Sequence, residues 1–352
     1  MNQIRVLVVD DSAVMRGIMS RIINAEPDMT VAAVASDPIV AMERMRSSPP
    51  DVITLDVEMP RMDGLEFLRR LMQSRPLPVV MVSSLTARGA DTTLRALELG
   101  AVDFVAKPVL TGAGGLEDYA AEVVEKLRAA AAARVARPEA PAPQRIAATR
   151  ERIALAPHAA KADRIIVIGA STGGVEALRE LLAPLPADMP PILVAQHMPA
   201  GFTGSFARRL NELCEIGVKE AVHGEAPARG QAYIAPGGMH LDLTGRPGRL
   251  QLAVSQDPPV NRHRPSVERL FRSAAQAAGA RCIGVMLSGM GADGAEAMLE
   301  LRRCGAHNIA QDESSCVVFG MPRQAIALGA VREILPPAAI ARRLVELSLA
   351  NG

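Results

Sequence analysis

Arg164-Ile-Ile-Val-Ile-Gly-Ala-Ser-Thr-Gly-Gly174 carries the reading of the second half of the chain. A β-branched apolar run passes into a small-residue turn, and a stretch with helical spacing, Val175–Leu182, follows. That is strand, tight turn, helix, the unit from which parallel sheets are wound. Gly169-Ala-Ser171-Thr-Gly173 also has the G-x-S-x-G spacing, in which glycines permit a turn sharp enough to lift a serine off the sheet edge. The N–H groups and dipole of the following helix then face any developing oxyanion. The motif alone leaves a plain tight turn and a nucleophile level. A phosphate cradle is weaker, because neither the G-x-G-x-x-G order nor a Walker lysine is present.

Outward from this stretch the pattern repeats. Further strand candidates are Pro191–Gln196, Gln231–Ala235, Leu250–Val254 and Cys282–Leu287, and helical stretches are Phe202–Glu212, Ser266–Ala278 and Gly294–Arg303. A serine nucleophile requires a base. Of the six histidines, His197 directly ends an apolar run and so shares an edge with Ser171. His158 falls in a linker and His307 lies away from that edge, while His223, His240 and His263 fall in loops that periodicity does not exclude. A third member should be a carboxylate at another strand end. Asp293, in Leu287-Ser-Gly-Met-Gly-Ala-Asp293-Gly, is the candidate, with a helix N-cap as the alternative role; Asp242, Asp257 and Asp312 are less directly delivered. The order Ser…His…Asp differs from the α/β-hydrolase order Ser…Asp/Glu…His and points to a different fold.

Residues 135–162 are rich in Ala and Pro, carry Arg145, Arg150 and Arg152, and read as a semi-extended linker. Before it, five strand candidates (Ile4–Val9, Thr30–Val34, Val52–Leu55, Pro78–Val82, Ala101–Val105) alternate with helical segments, the last about Leu116 to Arg134. Val14, Ile18 and Ile22 mark a helical stripe. The expected domains are therefore 1–134 and 163–352, both α/β. At the strand ends of the first stand Asp10, Asp11, Asp56, Ser83 and Lys107. In a doubly wound sheet these ends share one ligand-binding edge. Clustered carboxylates suit Mg²⁺, a lysine offsets charge on a transferring phosphoryl group, and one carboxylate, best Asp56, serves as nucleophile.

Composition narrows the classes. The 352 residues are 49% hydrophobic but only 2% aromatic, with a net charge of +1. This argues against base-stacking modules and against a polyelectrolyte footprint for nucleic acid or an anionic membrane. No C-x-x-C pair occurs among Cys214, Cys282, Cys304 and Cys316, so buried reduced thiols are expected rather than zinc. Neither a signal peptide nor a long uncharged apolar run is seen, so no membrane insertion and a cytoplasmic location are expected.

Together these motifs carry two resemblances. Residues 3–125 resemble the receiver domain of response regulators, of flavodoxin-like fold. That likeness implies phosphorylation of Asp56 by a histidine kinase, Mg²⁺ held by Asp10, Asp11, Asp56 and the Glu58 carbonyl, and Ser83 and Phe104 at the hydroxyl and aromatic switch positions, with Ser84 directly beside Ser83. The whole chain, through GASTGG, AQHMP, APGG and LSGMGADG, is similar to the chemotaxis protein-glutamate methylesterases of the CheB family. This second likeness implies a doubly wound α/β esterase domain and a cofactor-free serine hydrolase acting on glutamate methyl esters, and on certain glutamines, of methyl-accepting chemoreceptors. Ser171, His197 and Asp293 fall on the family's triad positions, and Thr172 and Met290 fall beside the expected oxyanion. The family likeness further implies that the unmodified receiver blocks Ser171. Two other classes share the architecture: a receiver with a DNA-binding output, which would need a compact module with a basic recognition helix, and a nucleotide-binding transferase.

Overall fold

The structure, a computed structural model, describes residues 3–59, 63–108, 115–134 and 164–349. The chain divides into two compact units, with the division between residues 142 and 143. The predicted linker 135–162, with His158, lies outside the described residues.

The first unit runs β1 (Ile4–Val9), α1 (Ala13–Asn24), β2 (Met29–Ala35), α2 (Pro38–Ser47), β3 (Val52–Asp56), α3 (Gly64–Ser74), β4 (Val79–Ser83), α4 (Ala87–Glu98), β5 (Asp103–Ala106) and α5 (Gly115–Ala131). Its five strands are parallel, in the order β2-β1-β3-β4-β5. This is the flavodoxin-like order, whose ligand crevice opens between β1 and β3 at the carboxyl edge. Near-continuous burial along β3 and β4 follows from cover on both faces. Short polar caps start the helices: Ser12 Oγ accepts Met15 N–H, and Asp37 and Asp63 serve α2 and α3 in the same way.

Two expectations shift here. The buried stripe of α1 is Met15, Met19, Ile22 and Ile23, and Val14 points outward at 64% exposed. Spacing by four drifts about 40° per step, so Val14, two steps from the buried Ile22, stands about 80° around the helix and off the buried stripe. The last helix ends at Ala131, three residues before Arg134.

The second unit runs β6 (Ile165–Ala170), α6 (Gly174–Leu182), β7 (Ile192–Gln196), α7 (Thr203–Leu213), β8 (Gly217–Glu220), β9 (Gln231–Ile234), β10 (His240–Arg246), β11 (Arg249–Ser255), α8 (Val267–Ala277), β12 (Cys282–Met286), α9 (Ala295–Arg303), β13 (His307–Gln311), α10 (Met321–Ala327), β14 (Glu333–Leu335) and α11 (Pro337–Leu349). Seven parallel strands order as β14-β13-β12-β6-β7-β9-β8. The chain leaves β6 toward β7 and later returns to β12 on the other side of β6. That reversal makes the carboxyl ends of β6 and β12 a topological switch point, where doubly wound folds place their ligands.

Val167, Leu193, Met286, Leu270, Phe271 and Met298 share one apolar layer on this sheet. Ile166, Ile168, Val194 and Val285 alternate to the other face and are also fully buried. The predicted strand at Leu250–Val254 is real but lies outside the parallel sheet, pairing antiparallel with β10. Strands β8, β13 and β14 were not expected. Their sequences, GVKE, HNIAQ and EIL, are too short or too polar to show as β-branched runs.

Candidate active site

Ser171, His197 and the Ser288 loop leave three adjacent strands at one edge. Ser171 N–H donates to Ser288 O at 3.0 Å and His197 N–H donates to Ala170 O at 3.0 Å, each extending the strand pairing by one residue. Across this edge His197 Nδ1 lies 3.2 Å from Ser171 Oγ, and His197 Nε2 lies 2.9 Å from Asp293 Oδ2. An ionised carboxylate only accepts hydrogen bonds, so Nε2 carries the ring proton and Nδ1 turns its lone pair to the serine hydroxyl. The imidazole is thus set to accept the Ser171 proton, with Asp293 behind it to stabilise the imidazolium.

Asp293 does not cap its own helix. The N-cap of α9 is Gly294, at φ 85°, with no side-chain cap. The Asp293 carboxylate reaches the start of α8 instead. Oδ2 accepts Val267 N–H at 2.6 Å, and Oδ1 accepts from Ser266 Oγ at 2.9 Å, Asn261 Nδ2 at 2.8 Å and Glu268 N–H at 3.3 Å. Burial pushes this carboxyl up, but His197, Asn261 and the Val267 N–H together hold it down to about 2. It is therefore ionised at neutral pH, the property an orienting carboxylate needs.

Two glycines make the turn possible. Gly173 has φ 78°, and a Cβ there would meet Val317 Cβ at 2.5 Å. A Cβ on Gly289 would meet Met321 Sδ at 2.3 Å and Ser171 Cβ at 2.8 Å, so only glycine lets the β12 loop pass behind the serine. Thr172 is buried beside Ser171, and Met290 follows Gly289 in that loop, half-buried.

Several residues escaped sequence reasoning. Gln196 Nε2 donates to Ser171 O at 3.0 Å and His197 O at 3.2 Å, tying the two turns together. Ser288 Oγ donates to Thr172 O at 2.8 Å and accepts Val318 N–H at 3.0 Å. Asn261 reaches Asp293, and the His263 ring stacks on His197 with centroids 3.8 Å apart. Polar residues next to a motif carry no periodic signal, although the six-histidine inventory did leave His263 open. The other candidates are engaged elsewhere: His240 with Pro258 O, His223 with Val254 O, His307 with Glu333, Asp242 and Asp257 with Arg269, and Asp312 with Ser314.

The first unit gathers its own cluster. Asp10, Asp11 and Asp56 offer carboxylate oxygens within 4.8 Å of one another. Lys107 Nζ lies 2.8 Å from Asp56 Oδ2 and 3.4 Å from Asp10 Oδ2. Burial pushes the Asp56 carboxyl up to about 6 against the Lys107 hydrogen bond, and the Asp10 charge adds to the rise. Asp10 is raised as well, mainly by burial. Asp10 Oδ2 is buried with no well-formed hydrogen bond, Lys107 Nζ at 3.4 Å being its ion-pair contact. A hard cation bound by oxygen would fill that deficit and relieve the repulsion between the carboxylates, so these residues fit one. Glu58 N–H donates to Asp56 Oδ1 at 3.3 Å, which places its peptide at the same edge. Ser83 is fully buried and its hydroxyl donates to Gly89 O at 3.2 Å, whereas Ser84 is half-buried and pairs with Thr86. Phe104 is buried, with Lys126 Nζ 4.9 Å from its ring centroid.

Comparison with known proteins places the second unit. The CheB methylesterase family model matches residues 166–344. A protein-glutamate methylesterase/protein-glutamine glutaminase of Burkholderia lata is 59% identical, over 97% of this chain and 95% of that protein. The chain belongs to the CheB methylesterase family. A protein-glutamate methylesterase/protein-glutamine glutaminase of Thiobacillus denitrificans is 53% identical over 99% of this chain and 98% of its own. The crystal structure of the Thermotoga maritima CheB methylesterase catalytic domain matches with a TM-score of 0.51 at 40% identity, covering 52% of this chain and 98% of that one.

The response regulator receiver domain model matches residues 6–113, so this CheB-family chain pairs a receiver with its esterase unit. A DNA-binding output and a nucleotide-binding transferase are both displaced by the match over 166–344. Among the described residues no helix is long and apolar enough to cross a membrane.

Proposed function

We propose that this chain hydrolyses glutamate methyl esters on the cytoplasmic helices of methyl-accepting chemoreceptors, releasing methanol, and deamidates receptor glutamines by the same path. The observation that carries this reading is the single imidazole bridging Ser171 Oγ and the ionised Asp293 at the switch-point edge of a CheB-family sheet. His197 Nδ1 takes the Ser171 proton as Oγ attacks the γ-carbonyl. N–H groups at the start of α6 and in the Met290 loop, with Thr172 beside them, steady the oxyanion. As the tetrahedral intermediate collapses and its C–O bond, or C–N bond for a glutamine, breaks, the imidazolium, held by Asp293, gives its proton to the departing methoxy oxygen or amide nitrogen, releasing methanol or ammonia. Water, deprotonated by His197, then attacks the acyl-enzyme carbonyl and frees Ser171 with a glutamate carboxylate.

Control lies in the first unit. Asp56 accepts a phosphoryl group from a chemotaxis histidine kinase, with Lys107 neutralising incoming charge. Asp10, Asp11, Asp56 and the Glu58 carbonyl would hold Mg²⁺, which when bound offsets the phosphoryl charge. Added charge at Asp56 draws Ser83 and shifts Phe104, changing the receiver surface. The esterase unit needs no cofactor for these steps, and the whole cycle belongs in the cytoplasm.

The test is methanol release from methylated receptors, with and without a small phosphodonor. Ser171→Ala should lose roughly 10⁴- to 10⁶-fold in kcat while keeping its fold. Normal turnover by a folded Ser171→Ala protein would overturn the assignment.

A further inference from the structure

The segment Val260–His263 touches two of the three reacting groups and has no role in the steps above. It is a two-residue hairpin. Val260 N–H donates to His263 O at 3.1 Å and His263 N–H donates to Val260 O at 2.9 Å. Its central residues, Asn261 and Arg262, have φ of 53° and 68°. Two consecutive left-handed residues define a turn that normally selects Asn-Gly, since glycine bears no Cβ penalty. Here the second position is arginine, so the chain holds the turn against a local preference. Such outliers persist where surrounding structure fixes them and frequently serve a site.

The side chains of this turn land on the triad. Asn261 Nδ2 donates to Asp293 Oδ1 at 2.8 Å. The His263 ring covers one face of His197, 3.8 Å between centroids and 12° from parallel. Arg264 anchors the outgoing arm by donating to Gln256 O at 2.9 Å and Asp257 O at 3.1 Å. The hydrogen bonds at Nδ1 and Nε2 locate the His197 ring within its own plane. They do little against tilt out of that plane, which a ring stacked on its face restrains.

We propose that the Val260–His263 hairpin is a positioning clamp, with His263 fixing the tilt of His197 and Asn261 fixing the carboxylate of Asp293. This rests on the methylesterase reading. A misplacement of about 1 Å at a reacting group costs up to about a hundredfold in rate, and the clamp acts on kcat rather than on substrate binding.

The experiment measures initial rates of methanol release by the full-length protein, supplied with Mg²⁺ and a small phosphodonor, over a range of methylated-receptor concentrations, with the unfolding midpoint of each variant. His263→Ala should lower kcat about ten- to a hundredfold with KM within about twofold. His263→Phe restores a flat ring without a titrating nitrogen and should recover kcat to within a few-fold of the unaltered protein. Asn261→Gly keeps the left-handed turn and removes only the amide; it should lower kcat about tenfold with an unchanged or raised unfolding midpoint. A purely structural hairpin would give a lowered midpoint and an unchanged kcat. Full kcat in His263→Ala, or a His263→Phe protein as slow as His263→Ala, would overturn the clamp. If His263→Ala does not fold, Asn261→Gly decides alone, and full kcat there overturns the proposal. No methanol release by the unaltered protein would overturn the methylesterase reading, and the clamp with it.

Discussion

Asp293 and Glu268 cap each other's helices. Asp293, two residues before α9, accepts Val267 N–H of α8 at 2.6 Å, while Glu268, on the first turn of α8, accepts Ala297 N–H of α9 at 3.1 Å. α9 opens on glycine and has no side-chain cap of its own, while the local cap of α8, Ser266 Oγ, accepts only Arg269 N–H, at 3.4 Å. The exchange locks α8 to α9 and aims one carboxylate at His197.

The two carboxylates should therefore separate under mutation. Asp293→Asn should lower kcat by about 10² to 10⁴, because an amide can hold the imidazole in the wrong tautomer. Glu268→Ala should cost roughly 1–3 kcal/mol of stability by orphaning a buried N–H, with a much smaller loss of rate. Methanol-release rates together with denaturant midpoints check both. Equal rate losses in the two variants would show that Asp293 acts only as a cap.

The Asp293 environment also sets an acid limb. Its folded value, about 2, lies below the ordinary 3.8. A depressed carboxyl stabilises the fold above its unfolded value and loses that contribution as pH falls through the folded one. About 2 kcal/mol should disappear between roughly pH 4 and pH 2. Urea midpoints of a fragment covering the second unit, taken across this range, should fall more steeply for the parent than for Asp293→Asn.

Asp56 has the opposite sign. Its carboxyl is raised to about 6, so ionising it costs stability as pH climbs from near 4 to 6 and beyond. In metal-free buffer at pH 7, Asp56→Asn should melt higher than the parent receiver. Mg²⁺ should raise the melting temperature of the parent by binding only its folded form and have little effect on Asp56→Asn. Phosphate incorporation from a phosphodonor should be lost in the variant, and in the parent once Mg²⁺ is chelated. A receiver indifferent to Mg²⁺ would refute the metal assignment.

What the sequence conveyed was whatever repeats or punctuates. Apolar runs located β6, β7 and β12, and small-residue turns after them located Ser171 and Asp293, because both signals are local. The partners of those residues were not legible. Asn261, Ser266 and Glu268 reach Asp293 from 25 to 32 positions away, and only the switch-point topology brings them there. Strands β8 and β14 were hidden for a related reason: edge strands borrow their stability from a neighbour rather than from their own composition. At Val14 the error was one of phase: Ile22 is buried, and stepping back from it by fours turns away from the stripe that Met15 and Met19 share with it.

The turn at Gly173 leaves no room for a side chain. Gly173→Ala meets both a left-handed φ and Val317 Cβ at 2.5 Å. It should destabilise the second unit by roughly 1–3 kcal/mol and displace Ser171 enough to lower kcat about a hundredfold. Gly224→Ala, at φ 82° with nothing within 4 Å of its Cβ, is the matched control. It carries the φ cost alone and should leave kcat unchanged. Comparable rate losses in both would mean that strain, and not the position of Ser171, sets the rate.

The last expectation concerns the link between the units. β6 begins at Ile165, and Ser171, His197 and Asp293 all lie beyond it with their own sheet and apolar layer. A fragment beginning at Lys161 should fold alone and release methanol. If the unphosphorylated receiver occludes Ser171, as the family resemblance implies, tethering holds it there at high effective concentration, and deletion removes that competition. The fragment should then outpace the unphosphorylated full-length protein on the same methylated receptor and show no response to a phosphodonor, since Asp56 is gone. Equal rates would leave Ser171, His197 and Asp293 in place and reject occlusion. A slower fragment would mean that the receiver or the linker helps to bind the receptor, and would make Arg145, Arg150 and Arg152 the next residues to replace.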